Sequence, residues 1–197
     1  MKFNNLVIDN FVDNAYEMRD YALNTEFDVI HPTNFPGKRT KPHPQEGILL
    51  LLRKVLKPFY NEVIFNPITL SGQFQVTTIN DVSWIHRDDT YTRNHDWLKS
   101  YTSLSVVLYL TPNAPVESGT SFYHNEYENN IKDSLAEPLK EEKEVNKYKY
   151  KKVACVANVF NRAVIFDSSI YHTAETYFGT NKYDGRLTVT YFLLAKQ

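Results

Sequence analysis

Apolar residues recur at helical spacing only in the first third of the chain. Over residues 14–25, Ala15, Met18, Tyr21 and Ala22 fall on one helical face behind Asp13 or Asn14 as N-cap, which predicts a helix. Residues 45–63 predict a second helix, with Ile48, Leu51, Leu52, Val55, Leu56, Phe59 and Val63 along one side and Pro58 placed to kink or break it. A short edge strand is expected at 7–11. Residues 31–44 are rich in Pro, Gly, Thr and Asn and are expected to be largely irregular, with a basic-tipped turn at Phe35-Pro36-Gly37-Lys38-Arg39.

After Pro67 the period falls to two. Strands are expected at 68–70, 72–79, 103–110, 119–123, 152–159, 163–166 and 187–194. In the last of these, Arg186, Thr188 and Thr190 share one face, and Leu187, Val189 and Tyr191 the other. Residues 125–152 are polar with charges of mixed sign, which reads as a solvated insertion rather than a binding tail. Two helices followed by many short strands predict an α+β fold. Its helical N-terminal part is residues 1–65, and its β-sandwich core is residues 66–197, all within one domain, 1–197. Bringing residue 86 beside residue 172 requires long-range antiparallel pairing, as in a jelly roll or cupin.

Composition sharpens this picture modestly. Fourteen Tyr and twelve Phe favour a sheet-rich fold. A formal net charge of −1, with no helix-turn-helix, basic aromatic stripe or phosphate loop, gives no indication of a nucleic-acid partner. No apolar run is long enough to span a bilayer, and Met1-Lys2-Phe3-Asn4-Asn5 lacks a signal-peptide apolar region, so a cytoplasmic location is expected. The single cysteine, Cys155, excludes an intramolecular disulfide and a thiolate zinc cluster; in the apolar stretch 153–156 it is expected to be buried and inert.

The candidate chemistry lies in the second half. His86 and Asp88 are two residues apart and so share one side of an extended segment. His172, presented after the apolar run 164–166 and a polar turn, can complete a face of two imidazoles and one carboxylate on a single metal, the typical donor set of non-haem Fe(II) oxygenases. A second pair, His124/Glu126, has the same spacing. The pair at 86 is better placed, because it follows Trp84-Ile85 and leaves several strands before His172. Arg186 offers a planar fork for a dicarboxylate. Arg87 and Asp89 are expected to point away from the pair, and residues 89–99, with Trp97, to form a possible lid. Arg39, His43, Arg93 and His95 are expected in irregular stretches bordering the mouth of a pocket.

The order His-x-Asp, His, then Arg-x-Thr on the final strand resembles the 2-oxoglutarate/Fe(II)-dependent dioxygenase superfamily, with its double-stranded β-helix core. Tyr109-Leu110-Thr111-Pro112, Ser118-Gly119-Thr120-Ser121-Phe122-Tyr123, Phe160-Asn161-Arg162-Ala163-Val164-Ile165-Phe166-Asp167 and the Phe35–Arg39 turn resemble a poorly characterised bacterial and phage branch. The resemblance runs from about residue 35 to 194 and is weakest over 125–152. Ser118-Gly119 departs from the commoner Gly-Gly, which is expected to affect a turn and not the chemistry. The resemblance implies that His86, Asp88 and His172 bind Fe(II). It implies that Arg186, helped by Thr188, pairs with the distal carboxylate of 2-oxoglutarate, and that Tyr109 or Tyr101 donates a hydrogen bond to it. The implied activity is hydroxylation of a substrate C–H with O2, releasing succinate and CO2. A small molecule or a protein side chain would serve as substrate, and the oligomeric state is open. Two other readings stand beside it: a cupin-like binding protein without turnover, and a metal-dependent enzyme using the same ligands without a keto acid.

Overall fold

A computed structural model of the 197-residue chain describes residues 5–29, 35–43, 45–89, 95–125 and 150–197. Most of the polar insertion expected at 125–152, and residues 90–94 of the expected lid, lie outside the described residues.

The helices form where apolar spacing asks for them. Helix α1 (Ala15–Asn24) buries Ala15, Met18 and Ala22, one above another on a single face, while Tyr21 stays exposed. Helix α2 (Glu46–Leu56) buries Ile48, Leu49, Leu52 and Leu56 and places Arg53 and Lys54 in its last turn, where the helix dipole favours cations. It is shorter than the sequence pattern suggested. The chain turns over Lys57-Pro58, and Val63 enters the core from a strand, β3 (Glu62–Phe65), rather than from the helix. Leu51 is exposed, and Leu49 takes the inward position.

A seven-stranded antiparallel sheet carries both helices on one face. Its order is β1 (Asn5–Ile8), β8 (Ala163–Asp167), β5 (Thr102–Tyr109), β10 (Arg186–Lys196), β4 (Gln73–Thr77), β2 (Lys38–Arg39), and β3 pairs with the far end of β10. β10 is its centre. On one side Arg186–Thr190 pair with Thr77–Gln73 and Leu193–Lys196 with Phe65–Glu62, and on the other side Thr188–Ala195 pair with Tyr109–Thr102. Leu187, Val189, Tyr191 and Leu193 of β10, with Leu104, Val106 and Leu108 of β5, meet Leu52, Leu56 and Met18 of the helices in one core. The segment that leads from the edge strand β1 into α1 is tied down by Asn161. Its side chain accepts from the Val12 amide at 3.0 Å and donates to the Val12 carbonyl at 2.7 Å, from a left-handed backbone (φ 61°) that Asn tolerates.

Opposite the helix-free face lies a three-stranded sheet, β7 (Tyr150–Val156), β6 (Thr120–Asn125), β9 (Tyr171–Ala174). Phe122 of β6 packs with Tyr109, Val164 and Phe166 of the large sheet to form a second, smaller core. The two sheets make the jelly-roll, or double-stranded β-helix, core expected from the sequence, with the N-terminal helices packed on it.

Other details differ from the sequence reading: the edge strand expected at 7–11 lies at Asn5–Ile8, and β7 ends at Val156 rather than at residue 159. Residues 68–70 form no strand: the Asn66 side chain caps a turn by accepting from the Ile68 amide, and β4 begins only at Gln73. Residues 171–174, for which the sequence reading gave no strand bounds, are strand β9. Cys155 is exposed, because β7 is an outer strand with a single neighbour, β6, and residues 151–155 are uncovered. The apolar character of 153–156 signalled a strand and not burial.

Candidate metal centre and adjoining pocket

His86 and His172 are brought together by the backbone itself. They form an isolated antiparallel bridge in which each amide donates to the other's carbonyl, at 3.0 and 2.9 Å, so the segment carrying His86 extends the small sheet beyond β9. Opposed residues of such a bridge point the same way, and the two rings lie 4.4 Å apart between centroids. Asp88, one alternation further along, is fixed by its amide donating to the Ser168 carbonyl at 2.9 Å.

The donor atoms converge. The Nε2 atoms of His86 and His172 lie 3.5 and 3.3 Å from the Asp88 carboxylate, and the three ligand atoms sit within 4.8 Å of one another. Each imidazole has its other nitrogen engaged: Nδ1 of His86 meets the Trp84 carbonyl at 3.1 Å and Nδ1 of His172 the Ile170 carbonyl at 2.9 Å. A carbonyl only accepts, so each ring carries a proton on Nδ1 and, in its neutral form, presents a bare Nε2 to the cluster. The Asp88 carboxylate accepts from Ser105 Oγ at 2.7 Å, and Ser105 is itself bonded to Ser168 Oγ at 2.8 Å. Phe166 packs edge-on against His172 at 4.6 Å.

Electrostatics agree with this geometry. Burial, reinforced by His172, pushes the His86 imidazole down to about 4, so the ring is neutral at physiological pH. Burial also opposes charge on His172, but the Asp88 carboxylate outweighs it and raises that ring. Burial would raise Asp88; the charge and hydrogen bond of His172 prevail and hold it well below the usual carboxylate range. Two neutral-capable imidazoles and an ionised carboxylate, with no fourth His, Cys, Asp or Glu in the group among the described residues, fit a divalent ion such as Fe(II) and leave positions for exogenous ligands.

Beside the cluster, the helix-free face of the large sheet is polar. Arg186, Thr188 and Thr190 of β10 are all buried on it. The Arg186 Nε donates to the Ser118 carbonyl at 2.8 Å, and its guanidinium carbon lies 5.4 Å from the Tyr109 ring centroid. Arg186 makes no ion pair among the described residues. Thr188 Oγ1, buried between Gln75 and Tyr109, has no hydrogen-bond partner, nor have Thr190 Oγ1 and Thr77 Oγ1 on the same face. Tyr109 is fully buried, its hydroxyl bonded to Thr120 Oγ1 at 2.7 Å, and burial raises its pKa. A buried cation and unsatisfied hydroxyls without internal partners are costly unless a ligand supplies the missing acceptor.

Of the residues weighed from sequence, His86, Asp88 and His172 come together, and Arg186, Thr188 and Tyr109 lie buried on the helix-free face of the large sheet. Tyr101 does not: its hydroxyl lies near the Glu62 carboxylate at an exposed position. His124 is exposed on β6, and Glu126 lies outside the described residues. Arg87 and Asp89 pair with each other at 2.8 Å, with Arg87 lying over Tyr171 on the side away from the donors. His43 bonds with Tyr21 and packs against Phe74 of the helix-side core; Trp97 and His95 are exposed. Sequence reasoning missed three features. Ser105 was readable in principle, because Ser103 and Ser105 interrupt the apolar alternation of β5. The turn at Ser118 was taken to be remote from the chemistry, yet its carbonyl holds Arg186. Tyr177, whose phenol feels the charges of both Arg186 and Arg39, carried no local signal.

A family model described as a family of unknown function (DUF6445) matches residues 2–193. The chain belongs to the DUF6445 family. No curated protein matches it by sequence. Among solved structures, the DUF6445 chain is similar to HygX from Streptomyces hygroscopicus with nickel and 2-oxoglutarate bound, at TM-score 0.59 and 14% identity over 98% of this chain and 83% of that one. It is also similar to a Trichoplax adhaerens prolyl hydroxylase in complex with a hypoxia inducible factor peptide fragment, at TM-score 0.54 and 13% identity over 98% and 83% of the two chains. A third similar structure is SnoN, a non-haem alpha-ketoglutarate-dependent epimerase from nogalamycin biosynthesis, at TM-score 0.53 and 13% identity over 98% and 78%. At such identities the likeness is one of fold. No helix among the described residues is long and apolar enough to cross a membrane.

Proposed function

We propose that this DUF6445 protein is a non-haem Fe(II)- and 2-oxoglutarate-dependent oxygenase that hydroxylates a C–H bond of an organic substrate. In that reaction one O2 and one 2-oxoglutarate are consumed, and the products are the alcohol, succinate and CO2. The observation that carries the reading is the juxtaposition of two bare imidazole nitrogens and a carboxylate with a buried arginine that has no carboxylate partner. HygX, which shares the fold, is known with nickel and 2-oxoglutarate bound, and the family resemblance noted from the sequence, including its bacterial and phage branch, points the same way.

In this reading His86, Asp88 and His172 hold the metal. The Trp84 and Ile170 carbonyls fix the imidazole tautomers, and Ser105 orients the carboxylate. Arg186 takes the distal carboxylate of the co-substrate; Thr188 Oγ1 supplies a second hydrogen bond and gains the partner it lacks. Tyr109 shields that ion pair from water and holds the arginine by its ring. Bound Fe(II) supplies activation of O2 coupled to decarboxylation of the keto acid.

The test is an anaerobic titration of Fe(II) and 2-oxoglutarate into metal-free protein, read by the visible charge-transfer band of a chelated keto acid. The band is expected with the wild type and lost in His172→Ala and Arg186→Ala. A folded, iron-loaded protein that gives no band overturns the co-substrate assignment and leaves a cupin-like metal-binding protein.

A further inference from the structure

The helix-free face of the large sheet carries a second arginine that the proposed co-substrate does not use. Arg39 lies on β2, opposite Gln75 of β4; Gln75 lies opposite Thr188 of β10, and Thr188 opposite Tyr109 of β5. These four residues form one transverse row, so their side chains share the helix-free face of the sheet. With strands about 4.8 Å apart, the backbones of Arg39 and Thr188 are separated by about 10 Å. The two arginines share Tyr177 and otherwise act on different groups. The Arg186 charge acts on Tyr109 and Tyr177, and that of Arg39 acts on Asp88, His86 and Tyr177.

The placement of Arg39 is built. Its amide and carbonyl both bond to Val29, each at 3.0 Å, and its guanidinium lies over the Phe35 ring at 4.0 Å. Gln75 donates to the Pro36 carbonyl at 2.7 Å, pinning the turn that delivers it. Gly37 in that turn has φ 70°, and a Cβ there would stand 2.1 Å from the Val76 carbonyl oxygen, so the turn admits only glycine.

What this construction holds is a cation without an anion. Arg39 Nη2 donates to Gln75 Oε1 at 3.2 Å, a neutral acceptor, and its Nε is buried with no hydrogen-bond partner. No carboxylate among the described residues pairs with it. Burial pulls its pKa down to about 10, which leaves it charged at neutral pH. A guanidinium carries five N–H donors in a fork matched to an oxyanion.

We propose that Arg39, supported by Gln75 and Phe35, is a second anion subsite beside the His86/Asp88/His172 cluster, and that it takes a carboxylate of the primary substrate. The primary substrate is therefore an acidic molecule. The proposal rests on the oxygenase reading for the word substrate, while the anion subsite itself stands on Arg39 alone. The same carboxylate chemistry is offered by the keto-acid end of 2-oxoglutarate, and the experiment separates the two sources.

The test follows the arginine Nε–Hε resonances of the 15N-labelled full chain, metal-free and loaded with diamagnetic Zn(II). The Arg39 and Arg186 signals are identified by their absence in Arg39→Gln and Arg186→Gln. On the Zn(II) protein, 2-oxoglutarate is expected to shift Arg186 and leave Arg39 unmoved. Acetate added on top is expected to shift Arg39 saturably, and acetamide to have no effect. Arg39→Lys, which keeps the charge and loses the fork, is expected to fold and to weaken acetate binding by at least about tenfold, read from neighbouring amide signals. If 2-oxoglutarate alone shifts Arg39, and Arg39→Gln weakens its binding as much as Arg186→Gln does, the carboxylate is the co-substrate's and the substrate assignment falls. If acetate leaves Arg39 unmoved in both the metal-free and the loaded protein, there is no anion subsite. If 2-oxoglutarate fails to bind while acetate still shifts Arg39, the oxygenase reading fails and the anion subsite stands.

Discussion

The two faces of strand β10 do opposite work with the same backbone. Leu187, Val189 and Leu193 point toward the helices and are matched carbon to carbon. Arg186, Thr188 and Thr190 point the other way, equally buried, and leave polar atoms unsatisfied. Burial alone therefore does not distinguish core from site in this molecule; satisfaction of polar groups does. The helix face is nearly all hydrocarbon, with the Tyr191 hydroxyl and His43 Nε2 among its few unpartnered atoms, whereas the opposite face is complete only with a ligand.

The contrast is broken most severely on the helix side. Phe74→Ala empties a fully buried position in the main core and is expected to cost about 3–5 kcal/mol in urea unfolding. Thr188→Val, on the opposite face one register step away, is expected to leave unliganded stability unchanged or raise it, since it replaces an orphan hydroxyl by a methyl of similar shape. If the two variants unfold at the same urea concentration, the faces are not specialised as described. Next comes Arg186→Ala, for which a loss of about 2–5 kcal/mol in 2-oxoglutarate binding is expected from a buried charge pair, with Fe(II) affinity retained; calorimetry with each ligand separates the two. Ser105→Ala removes a hydrogen bond to Asp88 without touching the donors, and Fe(II) affinity is expected to fall about 10–100-fold, measured by competition with a chelating dye. The smallest effect is predicted on neither face. Asp9 pairs with Arg162 at 2.6 Å on the surface, which lowers its pKa. Its contribution is present above the ordinary aspartate value of 3.8 and disappears as pH falls through the lower folded value. Asp9→Asn is expected to cost about 0.2–1 kcal/mol at pH 7 and nothing at the acid end of a pH series of melting curves.

The contrast also explains what could be read before any coordinates. The alternation of 186–191 announced both faces, because strand period and sheet burial are local consequences of side-chain chemistry. The pairing of His86 with Asp88 was equally legible, being a two-residue spacing. The extent of α2 was not: the apolar positions at 59 and 63 keep helical spacing by coincidence, and only the turn after Leu56 shows that Val63 reaches the core from β3. Arg39 was read as rim because its flanking sequence looks irregular. Its inward direction comes from pairing with Gln75, a contact made across thirty-six positions of sequence. Cys155 shows the converse error, where apolar neighbours implied burial but strand order put them at an uncovered edge.

The position of β10 also bears on how the molecule is made. All of its partners, β3, β4 and β5, precede it in the chain. During synthesis those strands leave the ribosome before the one that joins them, and each waits with an open edge of amides and carbonyls that can pair with a neighbouring nascent chain. Neither the helix-side core nor the pocket can close until β10 inserts between strands already present. Folding is therefore gated by a strand that emerges after all of its partners, and a chain stalled before Arg186 is a substrate for chaperones rather than a smaller version of the protein.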